Sequence, residues 1–587
     1  MLDTNGLFDS YMLKHDWRIK RNSNAPYSFG AMNKFVIEEN SKNYWLTKVY
    51  PERIRKFHES GDGHIHDLGG LTVYCCGYSL QKVLMMGVQG IPNIPTSAPA
   101  RHFDAVLNQL ANLTTIFQNE IMGAVAFSSF DTLLAPFIRY DHLAYKEVKQ
   151  SIQNYIYSVN SNSRSGAEPA FSNLTFDLFV PDDLKNMPAI IGGEPVDFTY
   201  GECQKEIDML NKAFFEVMLA GDHKKKPFAY PIPTYSIMKG FDWDNPNNDM
   251  LWEMTGKYGY PYFSNFMNSD MKPSDLRSMC CRMNLDLRQL RKRNGGLFGS
   301  GDSTGSIGNV SLNLPRAGYL NRGKTEKELF RHIENLMNIA KDSLEIKREW
   351  LNKHLLGTGL IPAFDAYVGT FDNHFSTIGN VGLNEMAMNF MNKNILDPDG
   401  EKLCEETLDF MREKLIDFQQ ETGNLYNLEA SPAESTCYSL AIKDKKLFGD
   451  DIFTQGKGDH VYYTNSCHIP VNLVHTIQQV LDHQNKLQVK YTGGTVVHLF
   501  IGGAINGEQA KSIVRTACEN YAIPYLSLSP LICYCPNHGA LNEVVEKCPV
   551  CGAKTSYMQK ITGYIRDVAN YNNGKSGEFN DRNQLLK

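Results

Sequence analysis

The sequence predicts an α/β fold, and three observations carry that expectation. Stretches with apolar residues at three- and four-residue spacing, such as KELFRHIENLMNIAKDSLEIKREWLNKHL from Lys327 to Leu355, predict amphipathic helices. Short apolar runs such as GTVVHLFIG, Gly494 to Gly502, alternate with them and predict strands joined by crossover helices. Glycine and proline are spread evenly, with no repeat or low-complexity tract, so residues 1–523 read as one large domain. From Pro524 the texture turns to cysteines and turn residues, which predicts a small module over 524–556 and a short tail over 557–587.

Composition narrows the function. Hydrophobic residues make up 42% and charged residues 21% of the 587, which suits a globular chain with ample core. Net charge is −6, and the basic runs HKKKPF (His223 to Phe228) and RQLRKR (Arg288 to Arg293) are short and isolated. A broad nucleic-acid-binding face is therefore not expected, because phosphate binding needs clustered cations. Neither a secretory signal nor a membrane span is read, so the expected location is the cytoplasm. Thirteen cysteines, several adjacent or closely spaced, fit a reducing compartment better than a disulfide framework.

CYCPNHGALNEVVEKCPVCG, Cys533 to Gly552, carries two close pairs of soft ligands. Two short turns that each present two ligands suit tetrahedral Zn²⁺. Cys548 and Cys551 form the stronger pair; Cys535 and His538 repeat the two-residue gap, with Cys533 as the alternate ligand. Four protein ligands leave no open coordination position, so the metal would be structural.

Beyond the knuckle lies ITGYIRD, with Gly563. A lone glycine is ordinarily a turn residue. Glycine is also the residue best suited to store a radical, because loss of one Cα hydrogen leaves a planar centre delocalised onto both flanking peptides. A stored radical needs an oxidisable partner, and thiols are available in two adjacent pairs: Cys280 with Cys281, ahead of a polar, glycine-rich segment, and Cys75 with Cys76. Taken alone, such pairs are more often core residues. His64, His66 and Asp67, in HIHD, are expected at a hydrogen-bonded strand end more than in a metal site. SPAEST, Ser431 to Thr436, reads as a helix start whose free N–H groups favour either an ordinary cap or an anion.

Taken in order along nearly the whole chain, GDGHIHDLGG…YCCGYSL, QNEIMGAVAFSSFDTLLAPFIRYD, MCCRMNLDL…NGGLFG…TGSIGNVSLNLPR, EASPAESTCYSLA, YYTNSCHIPVN, YTGGTVVHLF, the cysteine knuckle and ITGY…NNGK…EF resemble the anaerobic, class III ribonucleotide reductases. The resemblance implies a ten-stranded α/β barrel of the glycyl radical enzyme type, a finger loop bearing the thiyl-forming cysteine, and a C-terminal zinc knuckle followed by the radical loop. It implies that Cys281, followed by arginine, forms the thiyl, that Cys75 faces the other side of the ribose, and that Gly563 stores the radical. Ser431, Ala433, Glu434, Ser435 and Thr436 are implied to hold substrate phosphates, and Cys535, His538, Cys548 and Cys551 to hold zinc. The implied reaction reduces ribonucleoside triphosphates to deoxyribonucleotides for DNA synthesis.

The implied partners are a separate S-adenosylmethionine iron–sulfur activating enzyme, nucleotide effectors, and formate or a thioredoxin-like reductant, with a homodimeric assembly, no nucleic acid and no membrane. The chain departs from the family in three places. The core motifs start at NAPYSFGAMNKFVIEENSKNYWL, so no N-terminal ATP-cone, and no dATP control through one, is expected. Ser236 stands where some relatives carry an asparagine linked to formate use, and Cys467 where threonine is expected. Two rival readings are a glycyl radical lyase acting on a small substrate and a zinc-ribbon nucleic-acid-binding protein.

Overall fold

The computed structural model describes residues 3–14, 16–21, 27–162, 168–268, 276–278, 284–286 and 303–586. Five strands, β1 (Cys75–Gly77), β2 (Val125–Phe127), β3 (Ser172–Phe176), β4 (Ile232–Ile237) and β5 (Tyr262–Asn265), pair in parallel in chain order. A second set comprises β6 (Thr304–Asn313), β7 (His374–Val381), β8 (Tyr426–Glu429), β9 (Val497–Ile501) and β10 (Tyr525–Pro530), in which β6–β7, β7–β8 and β9–β10 are parallel. The sets meet antiparallel at two seams: Cys75 of β1 faces Ser306 of β6, and Ser264 of β5 faces Tyr525 of β10. Between β8 and β9 the ring is closed by the parallel bridge Glu429–Gly494, where Ala430 N–H donates to Gly494 O at 2.8 Å and Gly493 N–H to Leu428 O at 2.6 Å. The ten-stranded barrel implied by the resemblance is present.

Every residue of β6 is buried, because one face meets helices and the other meets the barrel interior. Val310 and Leu312 pack under the helix Glu326–His354 with Ile333, Met337 and Leu344. That helix opens on a capping box, Thr325 with Glu328, and its apolar spacing is the one read from the sequence. Around the first set, Phe127, Phe176 and Phe263 pack with Leu110, Leu134 and Phe214 from the surrounding helices.

A third apolar cluster draws side chains from strand after strand of both sets: Tyr74, Cys75, Ala124, Tyr230, Tyr262, Phe375, Leu425, Val496 and Tyr525. Those strands surround one interior, so the cluster marks the lumen. Ile561, Tyr564 and Tyr571 belong to the same cluster, which seats the C-terminal segment inside the ring.

The domain boundaries differ from expectation at both ends of the knuckle. Tyr525–Pro530 is the tenth barrel strand, so the barrel continues past residue 523. The knuckle strands Ile532–Cys535 and Gly539–Leu541 share one antiparallel sheet with Ser556–Lys560 and Ile565–Asp567, so the sheet runs across the expected break at 556/557. Composition marked where cysteines begin, whereas hydrogen bonding carries the barrel on for one more strand and the knuckle straight into the tail. No described helix is long and apolar enough to cross a membrane.

Candidate active site

The strands Ser556–Lys560 and Ile565–Asp567 form a hairpin closed by Ile561 N–H donating to Tyr564 O at 3.1 Å. Thr562 and Gly563 are therefore its two-residue tip, and both are buried. The Gly563 carbonyl accepts a 2.7 Å hydrogen bond from Tyr262 Oη, which belongs to the first residue of β5. Tyr564 donates to a carboxylate oxygen of Glu434. The tip is thus tied to the barrel wall on one side and to the segment after β8 on the other.

Cys75 is fully buried in the luminal cluster, and its Sγ accepts from Ala124 N–H at 3.3 Å. A side chain on Gly123 would collide with that sulfur, since a Cβ there would lie 2.4 Å from it. Cys76, the next residue, joins the outer core instead, and burial pushes its thiol far above the usual range. Alternation along β1 thus separates the two thiols, one to each face. Cys280 and Cys281 lie outside the described residues, between the paired strands Leu276–Ser278 and Asn284–Asp286.

SPAEST follows β8 and leads into the helix Thr436–Phe448. Its N-cap residue, Ser435, makes no side-chain capping bond. Ser431 Oγ donates to Asn309 Oδ1 at 3.0 Å and lies 3.3 Å from Glu429 Oε2, while Ala433 N–H donates to Asn465 Oδ1 at 3.0 Å. Of the five residues expected there, Ser431 braces the turn and Glu434 is engaged by the hairpin. Thr436 opens the first helical turn.

In the knuckle, the ligand atoms of Cys535, His538, Cys548 and Cys551 all lie within 4.8 Å of one another. Cys535 Sγ is 3.6 Å from both His538 Nδ1 and Cys551 Sγ, and Cys548 Sγ is 3.5 Å from His538 Nδ1. Tetrahedral zinc with Zn–S bonds of about 2.3 Å sets its sulfurs about 3.8 Å apart, so the four donors fit that ion. Asn537 Nδ2 donates to Cys551 Sγ at 3.5 Å and draws that thiol toward the thiolate, the form that binds metal. Cys533 instead directs its Sγ to Val545 O at 3.3 Å.

The HIHD residues form a strand end. His66 Nε2 bonds Ser311 Oγ at 2.8 Å, and His58 Nδ1 accepts from Ile65 N–H at 3.1 Å. Burial, with Lys347 nearby, holds His66 down to about 4, and burial holds His58 and His64 well below the usual imidazole range. Asp67 is pushed up to about 6 by the same burial. Among the described residues only the knuckle gathers a metal-type cluster. Cys467 has a structural account that the sequence did not offer. It packs in the outer core, with its thiol 3.7 Å from both Gln484 Oε1 and Gln488 Nε2. Ser236 is buried on β4.

Comparison with known proteins decides the family. The model of the anaerobic ribonucleoside-triphosphate reductases matches residues 21–584. The chain belongs to that family. The reductase is 23% identical to the anaerobic ribonucleoside-triphosphate reductase of Haemophilus influenzae, over 92% of this chain and 80% of that one. A solved anaerobic ribonucleotide reductase superposes with a TM-score of 0.80 at 20% identity, covering 99% of this chain and 94% of that chain. Another, from Thermotoga maritima in complex with dATP and CTP, does so at 0.75 and 19%, covering 98% of each. This reductase is a glycyl radical enzyme that reduces ribonucleoside triphosphates. Sequence reading gave no role to Tyr262, which lies outside the quoted motifs, nor to Asn309, Glu429 and Asn465, which lie within them; all four gain meaning only from what they touch.

Proposed function

We propose that Gly563 stores the radical of this reductase, that Cys281 relays it to the substrate, and that Cys75 supplies hydrogen from the opposite face of the ribose. The observation that carries this reading is the seating of the Gly563 hairpin tip inside the barrel, in one luminal cluster with Cys75 and its neighbours. A lyase would also use a glycyl radical. The family match and the helix start after SPAEST favour a phosphorylated substrate instead.

Gly563, activated by a separate radical S-adenosylmethionine enzyme, takes the thiol hydrogen atom of Cys281. The Cys281 thiyl removes the ribose 3′-hydrogen, the 2′-hydroxyl departs as water with the proton that the 3′-hydroxyl loses as it becomes a ketone, and the Cys75 thiol gives a hydrogen atom to C2′. Return of the 3′-hydrogen from Cys281 regenerates its thiyl, and formate or a thioredoxin-like protein supplies the two electrons. The barrel contributes orientation and exclusion of water and oxygen, which would quench both radicals. Cys535, His538, Cys548 and Cys551 would hold a structural zinc, which supplies no chemistry to the reaction and braces the sheet that the hairpin continues. The N–H groups from Ser435 and Thr436 receive the substrate phosphates. The Thermotoga relative binds dATP and CTP, so nucleotide effectors are expected here too. The enzyme acts as a cytoplasmic homodimer.

Variants separate the roles. Anaerobic activation should give a doublet electron paramagnetic resonance signal that Gly563→Ala lacks, and oxygen should cut the activated chain at that glycine. Cys281→Ser should keep the doublet but form no product and leave the 3′-hydrogen unexchanged. Cys75→Ala should begin 3′-abstraction and release free base. An undiminished doublet in Gly563→Ala, or normal turnover by both cysteine variants, would sink the scheme.

A further inference from the structure

We infer that Tyr262 is a positioning residue for the radical glycine: its phenol holds the Gly563 carbonyl and stabilises the unpaired electron stored beside it. The inference rests on Gly563 being the radical residue, as proposed above.

The Tyr262 ring is held from several directions. It is fully buried and stacks on Tyr525, with ring centroids 5.1 Å apart and planes 10° from parallel. Tyr525 is fixed in turn by a 2.6 Å bond between its hydroxyl and Thr234 Oγ1. Lys560 Nζ, on the hairpin itself, lies 3.8 Å from the Tyr262 ring centroid and also bonds Ser527 Oγ. Two strands of the second seam and the hairpin therefore aim one phenol at one carbonyl, with a 2.7 Å donor–acceptor distance.

Any buried carbonyl needs a donor, so this bond alone satisfies an ordinary structural need. The chemistry of the site gives it a second effect. Removing a Cα hydrogen conjugates the remaining electron with the amide nitrogen, an electron donor, and with the carbonyl, an electron acceptor. A hydrogen bond to the carbonyl oxygen makes it the better acceptor. The bond therefore lowers the energy of the radical more than that of the parent glycine. No proton or electron leaves Tyr262. A purely structural bond would be equally strong before and after hydrogen loss, and this difference makes the role measurable.

The test compares the full-length protein with Tyr262→Phe, both activated anaerobically and exchanged into heavy water, by electron–nuclear double resonance. The unsubstituted radical should show an exchangeable deuteron coupling, beside that of the Gly563 amide, which the variant lacks. The variant doublet should also decay faster, by up to about fivefold, the limit set by the whole worth of one neutral hydrogen bond. The same couplings in both proteins, or an unchanged decay, overturn the inference. Should Tyr262→Phe take no radical, unsubstituted protein grown on tyrosine carrying oxygen-17 in its phenol decides: an oxygen-17 coupling in the doublet supports the role, and its absence overturns it. Gly563→Ala is the separate control, because a doublet there removes the radical assignment whatever Tyr262 does.

Discussion

Tyr564, the residue after the hairpin tip, gives its phenolic hydrogen to the carboxylate of Glu434, 130 positions earlier at the start of the Thr436–Phe448 helix. Asn572 Nδ2 reaches the Glu434 backbone carbonyl at 3.1 Å, so the tail grips this residue twice. The turn expected to receive phosphate and the hairpin expected to carry the radical are therefore one connected unit.

That connection predicts coupling. A hydrogen bond to a charged acceptor in a partly buried site contributes about 1.5–3 kcal/mol. Tyr564→Phe and Glu434→Gln should each speed amide hydrogen exchange at Ile561 and Ile565, and the double variant should be no worse than the worse single one. Fully additive effects would show that the two side chains do not support the hairpin together.

Metal removal tests the knuckle. One zinc per chain should be found by elemental analysis, and the pair Cys548→Ser, Cys551→Ser should lose it. A structural site contributes folding free energy locally, so this variant should keep its barrel but fail to store the radical. Full radical yield without metal would refute the bracing role.

Acid should weaken the fold through its buried histidines. Burial, with Arg348 nearby, holds His374 down to about 3, as it holds His66 to about 4 and His58 and His64 well below the ordinary value. Unfolded histidine takes its proton near about 6.5, so these groups favour the folded state fully above that pH. The contribution is lost as pH falls from about 6.5 toward the folded values, at up to about 1.4 kcal/mol per pH unit for each histidine. Urea midpoints should therefore drop between pH 7 and 5, where Glu578, held near 2 by Lys575 and Arg582 against its burial, stays ionised and Asp67, pushed up to about 6 by burial, offsets part of one histidine's contribution. His66→Gln should flatten that slope by about one proton. A level profile over this range would show that the histidines are charged in the folded protein.

Much of the candidate site was legible because the proposed radical chemistry would leave local marks. Gly563 sits in a short tail motif, Cys75 in a paired-thiol motif, and the knuckle ligands at metal spacing. The periodicity between Lys327 and Leu355 also matched the helix that forms there. What stayed hidden depends on contacts between distant segments. Tyr262 and Gly563 are 301 positions apart, and nothing near either residue announces the other. Tyr525–Pro530 is a short run ending in proline, and only its pairing with β9 and β5 makes it a barrel strand. Cys467 looked anomalous in a motif, yet its surroundings are plain packing among Leu487, Tyr491 and Cys404.

The far end of the tail is also stitched down. Leu585 donates its N–H to Phe500 O and accepts from Gly502 N–H, each at 2.8 Å, and Asn583 N–H reaches Val471 O at 3.0 Å. The hairpin is therefore not a rope with a loose end but a drawer on two runners, with the knuckle on one side and the Leu585 lacing on the other. Any exit of its tip from the barrel would proceed either by sliding with both runners intact or by first unlacing the one at Leu585. Each route leaves its own trace: a crosslink from residue 585 to 501 blocks the second and spares the first.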